Sequence, residues 1–185
     1  CVPGLSTSPM KTSGAAGRDP KDYGKPLTYK EMRPGSFDPK PRLVDMDTDG
    51  IDAEVLYPGT ARLLSKLPSR EIRVFCAQTY NDWMIEFCRE APERLVGLAI
   101  LPPIDDEGAA AAELERVAKR GVRGAWLAQA PDGLPLNHEN GESLWSAAAE
   151  TKIPVSLHIG AGIFGVNSGE NGRLLGALGC QDLGL

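Results

Sequence analysis

Side chains able to do chemistry are sparse in this sequence of 185 residues, which holds 2 histidines, His138 and His158, and 4 cysteines, Cys1, Cys76, Cys88 and Cys180. His158 has the more informative surroundings. It ends the apolar run Pro154-Val155-Ser156-Leu157-His158-Ile159-Gly160, opened by a proline and closed by a glycine. That pattern is the signature of a buried strand in a parallel sheet. The last side chain of such a strand stands at its carboxyl end, where the loops of α/β sheets and barrels converge on one crevice. His158 is therefore the leading candidate for direct contact with a ligand, against the plainer expectation of a satisfied polar group. His138 lies in the polar stretch Leu134 to Gly141 and is expected to face solvent.

Other chemistry is weaker. Gly160-Ala161-Gly162-Ile163-Phe164-Gly165 matches GxGxxG after an expected strand, which would suit a dinucleotide. That motif also needs a helix amino end facing the pyrophosphate, and Asn167, Gly169, Asn171 and Gly172 break any such helix. Asp45, Asp47 and Asp49 have the spacing of a calcium loop, yet without its distal glutamate they read as a solvated face. No GxSxG and no cysteine with an evident histidine partner suggests a covalent nucleophile. A metal site needs three or four ligands, so two histidines cannot build a His-rich one. The cysteines form no CxxC pair, which fits a reduced, cytoplasmic protein better than a disulfide framework.

These residues must be positioned by the rest of the chain. A net charge of -5 and a pI near 5.1, with no basic stripe, argue against nucleic acid as partner. No run of roughly 18 apolar residues exists to span a membrane. Residues 1–37, rich in Pro, Gly, Ser and Lys, form an irregular loop or lid segment, and residues 38–185 form the domain. Asp38-Pro39 opens a helix closed by Gly50, with Leu43 and Met46 inward. A strand over Ala53 to Tyr57 follows. Ser69 opens a long helix whose residues Ile72, Cys76, Tyr80, Trp83 and Phe87 recur at helical spacing, so Trp83 and Phe87 are expected in the core. Leu95 to Leu101 is a strand, and Asp105, Asp106 and Glu107 suit the start of the Ala109 to Arg120 helix. Val122 to Leu127 is the next strand, and Asn140 is expected to cap a helix that buries Leu144, Trp145 and Ala148. Four strands and four helices in strict alternation predict an α/β fold with a parallel sheet and right-handed crossovers.

Several strings in this order resemble a known family. Arg42 to Pro58, Asn81-Asp82-Trp83, Pro92 to Ala99 and Pro154 to His158 are similar to the first helix and successive strands of amidohydrolase-related proteins. This is the metal-dependent barrel group that includes aminocarboxymuconate semialdehyde decarboxylase. The resemblance covers about residues 38–160 and implies part, about half, of a TIM-like (β/α)8 barrel, here strands two to five. It implies that His158, ending strand five, is a metal ligand. Trp126, Leu127, Ala128 and Gln129 contain no lysine of the kind that dinuclear relatives carry on strand four, so a mononuclear site is implied. The implied ion is a divalent metal, zinc first and manganese second. The implied activity is hydrolysis or non-oxidative decarboxylation of a small carboxylated or carbonyl substrate. The family's HxH on strand one, its histidine on strand six and its aspartate on strand eight have no counterpart, so a fragment inactive by itself is expected. Its open strand edges would favour association, and a homo-oligomer is a further expectation. The alternatives are a nucleotide-binding oxidoreductase domain using Gly160 to Gly165 and a catalytically inactive half-barrel.

Overall fold

The computed structural model describes residues 19, 21, 28, 30–59, 64, 67–104, 106, 108–127, 134 and 136–157. They divide between two compact units, one drawn from Cys1–Glu54 and Glu86–Leu95, the other from Val55–Ile85 and Val96–Leu185. In the first unit, helix α1 spans Pro39–Asp49. The Asp38 carboxylate accepts from the Lys40 N–H at 3.0 Å, Pro39 pre-sets the first helical φ, and Gly50 ends the helix at φ 71°. A 3-10 turn over Pro34–Ser36 packs against α1. A Cβ on Gly35 would fall 2.5 Å from Asp45 Oδ2, so only glycine lets this turn sit beside that carboxylate. The guanidinium of Arg33 donates two bonds to Asp45 at 2.7 and 2.6 Å, and Arg94 pairs with Asp47 at 2.8 Å. The aspartate triplet is thus largely committed to arginines, which is why it resembles a cation loop only in spacing.

Five short strands follow the expected order: β1 Glu54–Leu56, β2 Leu95–Gly97, β3 Ala99–Leu101, β4 Ala125–Leu127 and β5 Val155–Leu157. The expected strand over Leu95 to Leu101 is shared. Its first half pairs with β1 and its second half with β4. β3, β4 and β5 are parallel and in register, with Ile100 opposite Trp126 and Trp126 opposite Ser156. Residues of one parity, Ala99, Leu101, Ala125 and Leu127, share a buried cluster with α3 (Ala109–Ala118) and α4 (Glu142–Thr151). Leu114, Val117 and Leu144 are the helices' fully buried contributions, and each side chain of this kind removed from water stabilises by about 1.5–3 kcal/mol. Residues of the other parity, Leu98, Ile100 and Trp126, pack with Ala77. Both faces are apolar, as a parallel sheet covered on two sides requires. Among the described residues no helix is long and apolar enough to cross a membrane.

Helix α2, Arg70–Cys88, departs from the expected face. Phe87 is buried, but Trp83 is 45% exposed and Ile72 48% exposed, whereas Ala77, Asn81, Met84 and Ile85 point inward. The inward stripe is rotated because a polar residue lies at its centre. Asn81 is fully buried; its Oδ1 accepts from the Ile100 N–H at 2.7 Å, and its Nδ2 donates to the Ile100 carbonyl at 3.0 Å and to Glu113 Oε1 at 2.6 Å. One amide therefore serves the open edge of β3 as a neighbouring strand would. The Glu113 carboxylate, 1% exposed, also accepts two bonds from Arg116, each at 2.8 Å, so its buried charge is matched.

Two further expectations are corrected. His138, rather than Asn140, caps the α4 region: its Nδ1 accepts from the Asn140 N–H at 3.2 Å at the start of a 3-10 turn over Glu139–Gly141. An aromatic nitrogen acceptor substitutes for the usual carboxylate or hydroxyl. Asp106 is not a dipole partner of α3, because its carboxylate is 3% exposed and bonded to Arg73, while Asp105 and Glu107 lie outside the described residues.

Replacing Asn81 with Ala leaves the Ile100 N–H, the Ile100 carbonyl and part of Glu113 without their partner. We expect a loss of about 2–4 kcal/mol in urea unfolding, since each buried polar group left unsatisfied costs about 1–3 kcal/mol. A loss below about 1 kcal/mol would mean that water takes over the amide's bonds.

Candidate active-site face at the carboxyl ends of the strands

The carboxyl end of β1 delivers Tyr57, and β5 carries Ser156 at its centre. Their hydroxyls meet at 3.1 Å. β1 and β5 are separated by the shared β2–β3 strand and by β4, three strand spacings, or about 14 Å across a flat sheet. A tyrosine and a serine can bridge that only across a concave face. Ser156 is in register with Trp126 and Ile100, so the hydroxyl pair lies on the parity opposite to the α3 and α4 cluster.

The neighbouring segments are held by a second polar contact. Arg73 near the start of α2 donates to Asp106 Oδ2 at 2.7 Å, makes a second bond to Asp106 Oδ1, and donates to the Leu67 carbonyl at 2.6 Å. Asp106 follows β3 and Leu67 precedes α2, so one guanidinium fixes two strand-to-helix connections on the carboxyl side. Such connections carry function in α/β folds because the strands hold their ends rigid.

The charged groups between α2 and α3 are of another kind. Asp82 accepts from Arg116 at 2.7 Å and from Arg120. The Arg116 hydrogen bond holds the Asp82 carboxyl below its ordinary 3.8, and the Glu113 and Asp82 carboxylates raise the Arg116 guanidinium above its usual range. Asp82 and Arg116 stay ionised at neutral pH and serve as a structural lock rather than as acid and base. A cavity of about 350 Å³ in the first unit is lined by Arg33, Arg42, Asp45, Asp49 and Glu54, but both arginines already hold carboxylates, Arg42 bonding Glu54 at 2.5 and 2.6 Å.

His158 and Gly160 to Gly165 lie outside the described residues. β5 runs parallel to β4 up to Leu157, the strand that the reading of His158 requires. Among the described residues no group of three or more His, Cys, Asp or Glu side chains is placed to hold a metal ion. His138 is a cap, and Cys76 and Cys88 are partly buried thiols outside any disulfide. Tyr57, Ser156 and Arg73 were not singled out from sequence, and Asp106 was read only as a helix-start charge. Only Ser156 carried a usable signal, two positions before the histidine expected to end the strand.

The amidohydrolase family model matches residues 9–175. The chain belongs to the amidohydrolase family. The match runs through Gly160 to Gly165, which places that glycine-rich stretch inside the family's domain. Gamma-resorcylate decarboxylase of Rhizobium radiobacter is 30% identical over 157 residues, covering 81% of this chain and 46% of that protein. A solved structure of 5-carboxyvanillate decarboxylase from Novosphingobium aromaticivorans, with bound manganese, is similar at a TM-score of 0.54 and 27% identity, over 63% of this chain and 33% of that one. The 2,6-dihydroxybenzoate decarboxylase from Rhizobium shares the fold at a TM-score of 0.56 and 24% identity, over 74% and 42%. The chain spans about half the length of the first curated relative. Its alternating strands and helices are part of that TIM-barrel fold.

Two outcomes test the polar contacts. Arg73→Met leaves the Asp106 carboxylate buried beside an apolar group, and we expect about 3–5 kcal/mol of destabilisation in urea. Asp82, being half exposed, contributes less than about 1 kcal/mol. Because its folded pKa is lowered from 3.8, that contribution is fully present above this value and disappears as pH falls through the folded pKa. Asp82→Asn should therefore lower the urea midpoint at pH 7 and leave it nearly unchanged at the most acidic pH where the fold persists.

Proposed function

We propose that the whole protein is a metal-dependent decarboxylase of a hydroxylated aromatic carboxylic acid. The observation that carries this reading is the 30% identity to gamma-resorcylate decarboxylase over 81% of the chain. The manganese-bound 5-carboxyvanillate decarboxylase, at 27% identity, supports the same substrate class. Both are decarboxylases, which favours carbon dioxide release over the hydrolysis that the family resemblance left open. The reaction needs no oxidant: the bond from ring to carboxylate breaks, its electron pair stays on the ring carbon, a proton takes the vacated position and carbon dioxide leaves.

His158 is the metal ligand in this reading. His158 follows β5, which runs parallel to β4 as far as Leu157, directly in sequence, and an imidazole nitrogen suits a divalent first-row ion. Manganese replaces zinc as the favoured ion, because the 5-carboxyvanillate decarboxylase holds manganese. When bound, the ion supplies Lewis-acid polarisation of a substrate oxygen. The chain's own share is to orient and enclose. Ile100 and Trp126 pack in the core that backs the strands, while Arg73 and Asp106 fix connections at the strand ends.

In the whole protein, His158→Ala should reduce bound manganese from stoichiometric to trace by elemental analysis and abolish carbon dioxide release from 2,6-dihydroxybenzoate or a similar hydroxybenzoate. His138→Ala is the control. It removes a helix cap worth about 1 kcal/mol and should keep its metal. Full manganese and turnover in His158→Ala would overturn the assignment.

A further inference from the structure

We propose that the outward face of α2 is the contact through which two copies of the whole protein associate, the two helices lying antiparallel about a twofold axis at Thr79. The contact is independent of the substrate and of the metal. Helix α2 turns Ala77, Asn81, Met84 and Ile85 inward and leaves Ile72, Phe75 and Trp83 at 48%, 68% and 45% exposure on the opposite side. With about 3.6 residues per turn, positions 72, 75, 79 and 83 fall within about 40° of one line, a stripe about 17 Å long. Single exposed apolar residues need no explanation, but a contiguous row of large ones marks a contact surface. At their exposures, the three side chains offer roughly 300–400 Å² per copy, close to the apolar half of the roughly 800 Å² per partner in a stable interface. In a (β/α)8 barrel the helices form an outer ring and further strands join the edges of the sheet, so closing the barrel leaves an outward helix stripe uncovered.

The stripe is suited to burial and to its own image. Thr79, its one polar side chain between Ile72 and Trp83, donates its hydroxyl to the Phe75 carbonyl at 2.9 Å, so covering it strands no donor. Its small size also lets two helices approach closely at that level. Phe75 stands four residues before Thr79 and Trp83 four residues after it, so in an antiparallel pair Phe75 of each copy lies level with Trp83 of the other. Tyr80 lies against the Trp83 ring at a centroid separation of 5.7 Å, which holds this aromatic anchor before association. The flanks select the direction. Glu71 and Arg89 lie on one side of the stripe, towards its two ends, and Arg89 is 64% exposed beside Glu86 of its own copy. Antiparallel packing sets Glu71 of each copy level with Arg89 of the other, whereas parallel packing would bring like charges together. A surface that complements itself in this way makes an isologous contact.

Analytical ultracentrifugation of the whole protein tests the contact. Wild type should sediment as a dimer or a multiple of one at micromolar concentration. Phe75→Glu should raise the dissociation constant about a hundredfold, since a twofold axis meets each substitution twice and a central aromatic anchor is worth roughly tenfold or more. Thr79→Cys gives a second measure that leaves the fold alone. Across the axis its two thiols meet, and a short bismaleimide should link them into covalent dimers well above the background from the native cysteines in wild type. If Phe75→Glu loses its helical circular dichroism, this cross-link decides. A wild type that stays monomeric at about 0.1 mM would overturn the proposal and assign the stripe to another segment of the chain or to a different protein. An oligomer that Phe75→Glu leaves intact, and whose Thr79→Cys form does not cross-link above background, would overturn it by placing the contact on another face.

Discussion

The bond from Asn81 to both backbone groups of Ile100 is the constraint on which the rest of the second unit depends. β1 follows the neighbouring strand only to Leu98, whose N–H donates to the Leu56 carbonyl at 3.0 Å. One step on, at Ile100, the partner is no longer a strand but the side-chain amide of α2. The substitution satisfies an edge that would otherwise be open, and it frees the end of β1 to turn away. Tyr57 is the first residue beyond that departure. The same amide requires a buried acceptor for its second N–H, which explains Glu113 on α3, and Glu113 in turn requires Arg116. A chain of dependence therefore runs from one strand edge through two helices.

Much of this organisation was legible in the amino-acid order. Pro39 and Gly50 bound α1 as their φ preferences dictate, and the apolar runs became the parallel strands β3, β4 and β5, in which Ser156 is the single polar residue. Helix α2 was misjudged for a physical reason. Its most buried position is an asparagine, and a buried asparagine cannot be told from a solvated one until its partners, 19 and 32 residues away, are known. The same limit hid Asp106, whose partner Arg73 lies 33 residues back, and the Tyr57–Ser156 contact, which joins positions 99 apart. Periodicity reports which face a side chain takes; it does not report which distant group waits there. His138 illustrates the converse, since a histidine in a polar loop offers a ring nitrogen to the nearest N–H as readily as it offers one to a metal.

Close packing explains why the two parities of the sheet have separate duties. A Cβ on Gly124 would meet Leu98 Cδ2 at 2.5 Å, so the absent side chain is what lets Leu98 lie across the sheet at that level. Above it, Ile100 and Trp126 fill the same face, and in the next register position across the sheet Ser156 interrupts the apolar series. The opposite parity shows no such interruption. Ala99, Leu101, Ala125 and Leu127 are uniformly apolar beneath α3 and α4, where a hydroxyl would lack a partner.

The concave face can carry hydroxyls because its polar groups meet one another. At this solvent-exposed contact the Tyr57–Ser156 bond satisfies one hydroxyl with the other, and water can take the remaining proton and lone pairs. A single serine at position 156 would have to find water or remain unsatisfied against Trp126 and its neighbours. A pair contributed by the first and last described strands satisfies itself, and either hydroxyl can rotate without moving a strand. That economy is available because the backbone around it is fixed from outside, by Asn81 on β3 and by Arg73 on the connections at the strand ends.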